Sequence, residues 1–314
     1  MFDEKTNKIH PASGPHVIAV GGGKGGIGKS FLSSNLAFAL SRHASVCIID
    51  LDLGASNLHT CFGIKSVNNT LSEYLYSNLS LLDVIQTTPY PRLDFISGFH
   101  DNLEVAQINK HKVMKLQNDI QSLPYDYVIL DLGAGSNFST VSFFLSAHTS
   151  LIVTTPDPTS VENAYRFLKT AFYQKIRSLS AHTSVRQITS QIMSNRDQLQ
   201  VKSPAHLLNQ IQQTNSFTAK IIEKNLANLN IGIVLNQVRM KKEEKLGPGI
   251  ARVCRQYFGI SCQYLGAIKH DDTAWQSIRK CQLVLKSHPY ENVSQQILSL
   301  AKILVGEKDK IAVI

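Results

Sequence analysis

Val17-Ile-Ala-Val-Gly-Gly-Gly-Lys-Gly-Gly-Ile-Gly-Lys-Ser30 opens as a β-branched apolar run and breaks into glycines; from Phe31 to Leu40 apolar residues resume at helical spacing. The pattern predicts a buried strand, a loop and a helix. From Gly23 to Ser30 the loop fits G-x-x-x-x-G-K-[ST]. Its backbone at Gly23, Gly25, Gly26, Ile27 and Gly28 can turn successive N–H groups inward around a phosphate. The N-terminus of the following helix adds partial positive charge.

These residue types suit a nucleoside triphosphate bound with Mg²⁺. Lys29 would reach the β- and γ-phosphate oxygens, and the Ser30 hydroxyl would be a metal ligand. Lys24 is the unusual residue. A second lysine inside the loop can extend away from its own phosphates and reach those of a facing subunit, the task of an arginine finger elsewhere. A rival reading exists, because Gly23-x-Gly25-x-x-Gly28 also satisfies G-x-G-x-x-G and Asp50 falls near the distance of a ribose-binding carboxylate. The Lys29-Ser30 pair argues against it, since a dinucleotide site requires neither residue there.

Further along, Ala44-Ser-Val-Cys-Ile-Ile-Asp50 predicts a second buried strand that delivers Asp50 and Asp52 at its carboxyl end, where open parallel sheets place ligands. The segment Asp50-Leu-Asp52-Leu-Gly54-Ala-Ser-Asn57 pairs an acid able to position or deprotonate water with a glycine able to respond to a γ-phosphate. Tyr125-Asp-Tyr-Val-Ile-Leu-Asp131 predicts another strand closed by an acid, and Asp131 is placed to hold Mg²⁺ through water. Gly133-Ala-Gly135 follows, its small residues letting the backbone approach the γ-phosphate. Ile231-Gly-Ile-Val-Leu-Asn236 is a strand ending in an amide that can read an adenine edge.

The remaining chain predicts short helices at 70–77 and 81–85, a strand at 93–98, and helices at 110–123 and 137–146. A strand at 150–155 leads into a helix from Pro158 to about Ile176, with Pro158-Thr-Ser-Val-Glu162 as its capping box. Residues 185–228 form a helical insertion, open to two uses: an ordinary packing layer or a partner-docking surface. A helix at 248–258, a strand at 262–267, a helix opened by Asp271 and an amphipathic helix at 294–305 complete the order. Residues 1–15 read as a flexible arm and 306–314 as a short tail.

The 314 residues are 43% hydrophobic and carry a net charge of +9. That content is globular and long enough for one large α/β domain. The positive excess suits an anionic partner, or equally a nucleotide binder with its excess spread along the chain. Five cysteines (Cys47, Cys61, Cys254, Cys262, Cys281) without C-x-x-C spacing indicate reduced thiols in a cytoplasmic protein. No apolar run reaches the length of a spanning helix, and the polar start has no signal-peptide core.

Taken in order, Lys24-Gly-Gly-Ile-Gly-Lys29-Ser30, Asp50-x-Asp52-x-Gly54-x-x-Asn57, Asp131-x-Gly-Ala-Gly135 and Leu235-Asn236 resemble the deviant Walker A ATPases of the MinD/ParA class. Thr154-Thr-Pro-Asp-Pro-Thr-Ser-Val-Glu-Asn-Ala-Tyr165 is most similar to the flagellar-number regulator branch, FlhG or FleN. The resemblance implies a doubly wound, mostly parallel sheet of the P-loop NTPase type that dimerises face to face on ATP, each subunit sending Lys24 to the other's phosphates. It implies Lys29 and Ser30 as the loop pair, Asp52 as the water-positioning acid, Asp131 as the metal-linked acid, and Asn236 and Asp271 as adenine contacts.

Departures bound the resemblance. Lys269 stands where a proline usually precedes the base contact, and residues 1–15 hold no D-Q-A-type motif. The tail Gly306-Glu-Lys-Asp-Lys-Ile-Ala-Val-Ile314 is mixed in charge, unlike the basic amphipathic helix of membrane-cycling relatives, so membrane attachment is not supported. Paired cluster-binding cysteines are absent. The expectation is an ATP-hydrolysing switch that regulates number or placement of a cellular structure, flagella or another polar machine, through an unidentified protein partner. The alternatives are a DNA-binding partition ATPase and a biosynthetic enzyme that phosphorylates a metabolite.

Overall fold

The apolar runs named above become the middle of one eight-stranded sheet because residues buried on both faces need helices above and below. The computed structural model describes residues 14–52, 56–77, 79–98, 108–195, 197–199, 201 and 203–306. Most of the arm, Gly54 of the acidic loop and all of the tail beyond Gly306 lie outside the described residues.

The elements run β1 (His16–Gly21), α1 (Lys29–Ser41), β2 (Val46–Leu51), α2 (Leu58–Cys61), α3 (Leu71–Tyr76), β3 (Gln86–Thr87) and β4 (Leu93–Ile96). Then come α4 (Lys110–Gln121), β5 (Tyr127–Leu132), α5 (Phe138–Ser146), β6 (Thr149–Thr154), α6 (Pro158–Ser178), α7 (Thr183–Ser194), α8 (Pro204–Thr214) and α9 (Ser216–Ala227). The chain finishes with β7 (Ile231–Val238), α10 (Leu246–Phe258), β8 (Cys262–Lys269), α11 (Asp272–Arg279), α12 (Val284–Ser287) and α13 (Asn292–Val305).

The strand order is β3-β4-β2-β5-β1-β6-β7-β8, parallel throughout except for the β3–β4 pair. From β1 the chain moves to one side through β2 and β4, returns at β5, and crosses to the other side from β6 onward. The crevice outside the carboxyl end of β1 is therefore a topological switch point, where α/β sheets bind ligands. Alternate residues of β1 feed two cores: Val17 and Ala19 pack with α4 to α10, and Ile18 and Val20 pack with α1, α12 and α13. Phe144 meets Phe167 edge-on at 4.9 Å in the first core.

Two local expectations are corrected. Leu81–Ile85 is not a helix; Ser80 and Asp83 close a turn, with Ser80 Oγ donating to Asp83 Oδ2 at 2.6 Å, and Gln86–Thr87 then pairs antiparallel with β4. Five residues bounded by a Ser–Asp turn are too few to repay helix nucleation. Nor does Pro158–Glu162 make a capping box. Asp157 occupies the N-cap position, Ser160 bonds to Thr154 and Thr155, and Glu162 turns outward to Arg166 at 2.6 Å. The charge is not spread either: residues 163–260 hold 15 Lys and Arg against 4 Asp and Glu, a net +11, leaving the rest of the chain at −2. The excess belongs to the segment from α6 to α10.

At the opposite end of the sheet from the loop, His16 Nε2 lies 3.1 Å from Thr149 Oγ1 and its ring stacks on His148 at 5.1 Å. Val17 N–H donates to His148 Nδ1 at 3.0 Å. Burial, then repulsion from His148, pulls the His16 pKa below 6.5. Below that pH the unfolded chain binds more protons than the folded one, so the stabilisation is complete above pH 6.5 and lost as pH falls through the folded-state value. The melting temperature is expected to drop between pH 7.5 and 5.5, and by less in His16→Gln. Equal drops in both proteins would exclude His16 as the titrating group.

Candidate functional site

Glycine is required in the loop between β1 and α1 for two separate reasons. Gly26 and Gly28 adopt φ of 75° and 89°, the left-handed region, and Gly28 is the N-cap of α1. Gly23 is needed for space, since a Cβ there would lie 2.1 Å from the backbone oxygen of Asn163 in α6. The first turn of α1 contains no acid, so its N–H groups and dipole remain available to an anion.

The two lysines are disposed differently. Lys29 is buried and its Nζ donates to the Lys24 carbonyl oxygen at 3.3 Å. Burial pulls its pKa below the usual lysine value, with Asp131 and then Asp52 pulling the other way. Lys24 is exposed at the rim, and its Nζ donates to Thr159 Oγ1 at 3.1 Å.

Three carboxylates meet the loop from adjacent strand ends. Asp50 and Asp131 are register partners on β2 and β5, and both are buried. Burial raises both pKa values, for Asp50 against the pull of the hydrogen bonds it accepts from Ser56, Asp52 and Leu58, and for Asp131 with added repulsion from Asp50. Asp50 is spent on its own loop: Oδ1 accepts from Asp52 N–H at 3.0 Å, and Oδ2 accepts from Ser56 Oγ at 2.7 Å and Leu58 N–H at 3.1 Å. A side chain so engaged does not read a ribose; it ties together the two ends of the acidic loop. Asp52 is half-buried against Gly133, where a Cβ would come within 3.2 Å of its Cγ.

Asp131 carries a buried Oδ1 with no hydrogen-bond partner. Such an atom is costly unless a donor or cation reaches it. With the exposed Ser30 on the first turn of α1, this donor set fits Mg²⁺, which keeps several waters and few protein ligands. Among the described residues no cluster of three His, Cys, Asp or Glu side chains could hold a metal alone.

Ala134 and Gly25 face each other, the Gly25 Cβ position lying 4.0 Å from Ala134 Cβ, and Gly135 has φ of 88° beside them. Asn236 is buried and its Nδ2 donates to the Ile27 oxygen at 2.8 Å. Gln237, at φ 58°, directs its amide to the same loop and donates to the Gly26 oxygen at 3.3 Å. Asp271 is the N-cap of α11, its Oδ1 accepting from Thr273 N–H at 2.9 Å and Thr273 Oγ1 at 2.6 Å.

Sequence reasoning missed Thr159, Asn163 and Gln237, because helix-start and strand-end residues give no local sign of facing a loop more than a hundred residues away. It also missed the loop-tying work of Asp50.

Both the sequence and the fold that carries this site are matched by known proteins. The profile of the CobQ/CobB/MinD/ParA nucleotide binding domain covers residues 18–284. The chain belongs to this family. Relatives within the MinD/ParA group include the flagellum site-determining protein YlxH of Helicobacter pylori, 33% identical over 172 residues, 54% of this chain and 55% of that protein. The chain thus aligns with a little over half of that relative's length. The antiactivator FleN of Pseudomonas aeruginosa is 23% identical over 304 residues, 95% of this chain and 88% of FleN. The septum site-determining protein MinD of Pyrococcus horikoshii OT3, solved with Mg-ADP, shares the fold at a TM-score of 0.64 and 20% identity, over 94% of this chain and 99% of that one. Among the described residues no helix is long and apolar enough to cross a membrane.

Proposed function

We propose that this chain is a slow ATPase used as a cytoplasmic switch, dimerising on ATP and resetting on hydrolysis. The observation that supports it is the division of labour between two lysines of one loop, Lys29 buried beneath it and Lys24 exposed on its rim. Lys29 and the loop N–H groups hold the phosphates, Asp52 orients the attacking water, and Lys24 of a second copy meets the charge that develops on the transferred group. Mg²⁺ would be held by Ser30 directly and by Asp131 through water, and when bound it supplies positive charge to the phosphate oxygens. The name of YlxH, a flagellum site-determining protein, supports flagellar number or placement as the regulated process. In this reading a protein partner stimulates turnover.

Light scattering of the purified chain with Mg²⁺ and a non-hydrolysable ATP analogue tests this directly. The expected result is a dimer with the analogue and a monomer with ADP. A monomer in both, or no heat of binding with either nucleotide, overturns the reading.

A second reading, DNA retention by the ATP-bound dimer, draws on the net +11 of residues 163–260. Absence of DNA binding at low salt removes it.

A further inference from the structure

The segment from Thr154 to Tyr165, which set this sequence apart within its group, supplies neither a phosphate-loop glycine nor a metal ligand, yet it is built with unusual care. Thr154 Oγ1 and Ser160 Oγ share a buried hydrogen bond of 3.0 Å, and Thr155 N–H donates to Ser160 Oγ at 3.1 Å. Thr155 Oγ1 donates to Asp157 Oδ2 at 2.7 Å, and Pro158 occupies the first turn of α6, where its fixed φ suits the helix. These bonds fix the first turn of α6 on the end of β6. The side of that turn facing the phosphate loop carries Thr159 and Asn163, one helical turn apart, joined by Asn163 Nδ2 donating to the Thr159 oxygen at 2.8 Å. Gly23 runs under Asn163, and the next residue, Lys24, reaches across to Thr159 Oγ1 at 3.1 Å.

The chemistry of that contact is informative. Thr159 offers an ammonium group a neutral hydroxyl, and it does so at a helix N-terminus, where the dipole disfavours a cation. The seat therefore fixes the direction of Lys24 while binding it weakly. A phosphate oxygen is a stronger acceptor, because its negative charge adds direct Coulomb attraction that a neutral hydroxyl cannot offer an ammonium group. Thr159 can hold Lys24 until a triphosphate is presented, and then lose it.

We propose that Thr159 is the resting seat of Lys24: a positioning residue that keeps the loop lysine on its own subunit and must release it when a second copy docks. The proposal rests on the dimerising reading above. It assigns to Thr159 a regulatory part that neither nucleotide binding nor hydrolysis requires.

The test uses the full chain with Thr159→Val, which keeps the shape and removes the hydroxyl, and Thr159→Ser, which restores it. Two readouts are taken: the acylation rate of Lys24 in nucleotide-free protein, followed by mass spectrometry, and the protein concentration giving half-maximal dimer with Mg²⁺ and the non-hydrolysable analogue. Freeing a partly exposed lysine from one hydrogen bond is expected to raise the acylation rate about two- to five-fold, and to lower the half-dimer concentration by a similar factor. ATP affinity stays unchanged, and Thr159→Ser behaves as wild type. A purely structural defect would instead weaken dimerisation and lower the melting temperature.

If wild type dimerises and Thr159→Val matches it in both readouts, the seat is overturned and the switch stands. If acylation rises but the half-dimer concentration does not fall, gating is likewise overturned. If wild type stays monomeric with the analogue, the switch itself fails and the seat has nothing to gate.

Discussion

Lys24→Ala is expected to bind ATP within about two-fold of wild type and to lose roughly a thousand-fold in turnover, the lower end of what a trans-acting cation contributes to phosphoryl transfer. Binding survives because the parts of the loop that hold phosphate do not depend on this side chain. The Lys29 ammonium is bonded to the backbone oxygen of residue 24, which alanine retains, and the left-handed turns at Gly26 and Gly28 are untouched. Turnover fails because the exposed Lys24 side chain, turned to Thr159 at the rim, is free to act on the phosphates of a facing subunit, and alanine removes that cation. Mixing variants separates action across a dimer from action within one subunit. In a mixed dimer of Lys24→Ala with Asp52→Ala, the first subunit keeps Asp52 and receives Lys24 from its partner, so one of the two sites is complete. An equal mixture should recover about a quarter of wild-type activity, since half the dimers are mixed and each has one working site of two. No recovery would mean that Lys24 acts in its own subunit.

The phosphate loop, the strands that flank it and the acids at their ends were legible because each is a local pattern: apolar β-branched run, glycines, charged stop. The eight-strand order itself rests on contacts between distant residues, such as Asp50 beside Asp131 and Val20 beside Asp131, which no local spacing encodes. Roles decided by long-range contact were read less well. Asp50 looked like half of an acidic motif, and only its bonds to residues 52, 56 and 58 reveal an internal tie. Asp271, expected as a base contact, has a second task that its residue type alone does not announce: its Oδ1 caps α11. Gln237 was invisible because alternation sends neighbouring strand residues to opposite faces, and only its φ of 58° brings its amide round to the side of Asn236.

Asn236→Ala is expected to lower the melting temperature of the nucleotide-free chain and to weaken ATP and GTP by the same factor, about ten-fold. The reason is the direction of its amide. Nδ2 is buried and donates to the Ile27 oxygen at 2.8 Å, so alanine strands a carbonyl inside the loop, a cost of about 1–3 kcal/mol. The loop is built around this bond: a Cβ on Gly28 would stand 2.3 Å from the same nitrogen, and Gln237 secures the adjoining Gly26 oxygen. Holding two successive carbonyls outward is what aims the intervening N–H groups at phosphate, and phosphate is common to both nucleotides. Asn236→Asp should be worse than alanine, because it sets a carboxylate oxygen against the Ile27 oxygen where water is excluded. Had Asn236 served only to read an adenine edge, either substitution would leave the nucleotide-free melting temperature unchanged and erode the preference for ATP over GTP. Calorimetric titration of both nucleotides, beside thermal melts without nucleotide, distinguishes a loop clamp from a base reader in one set of variants.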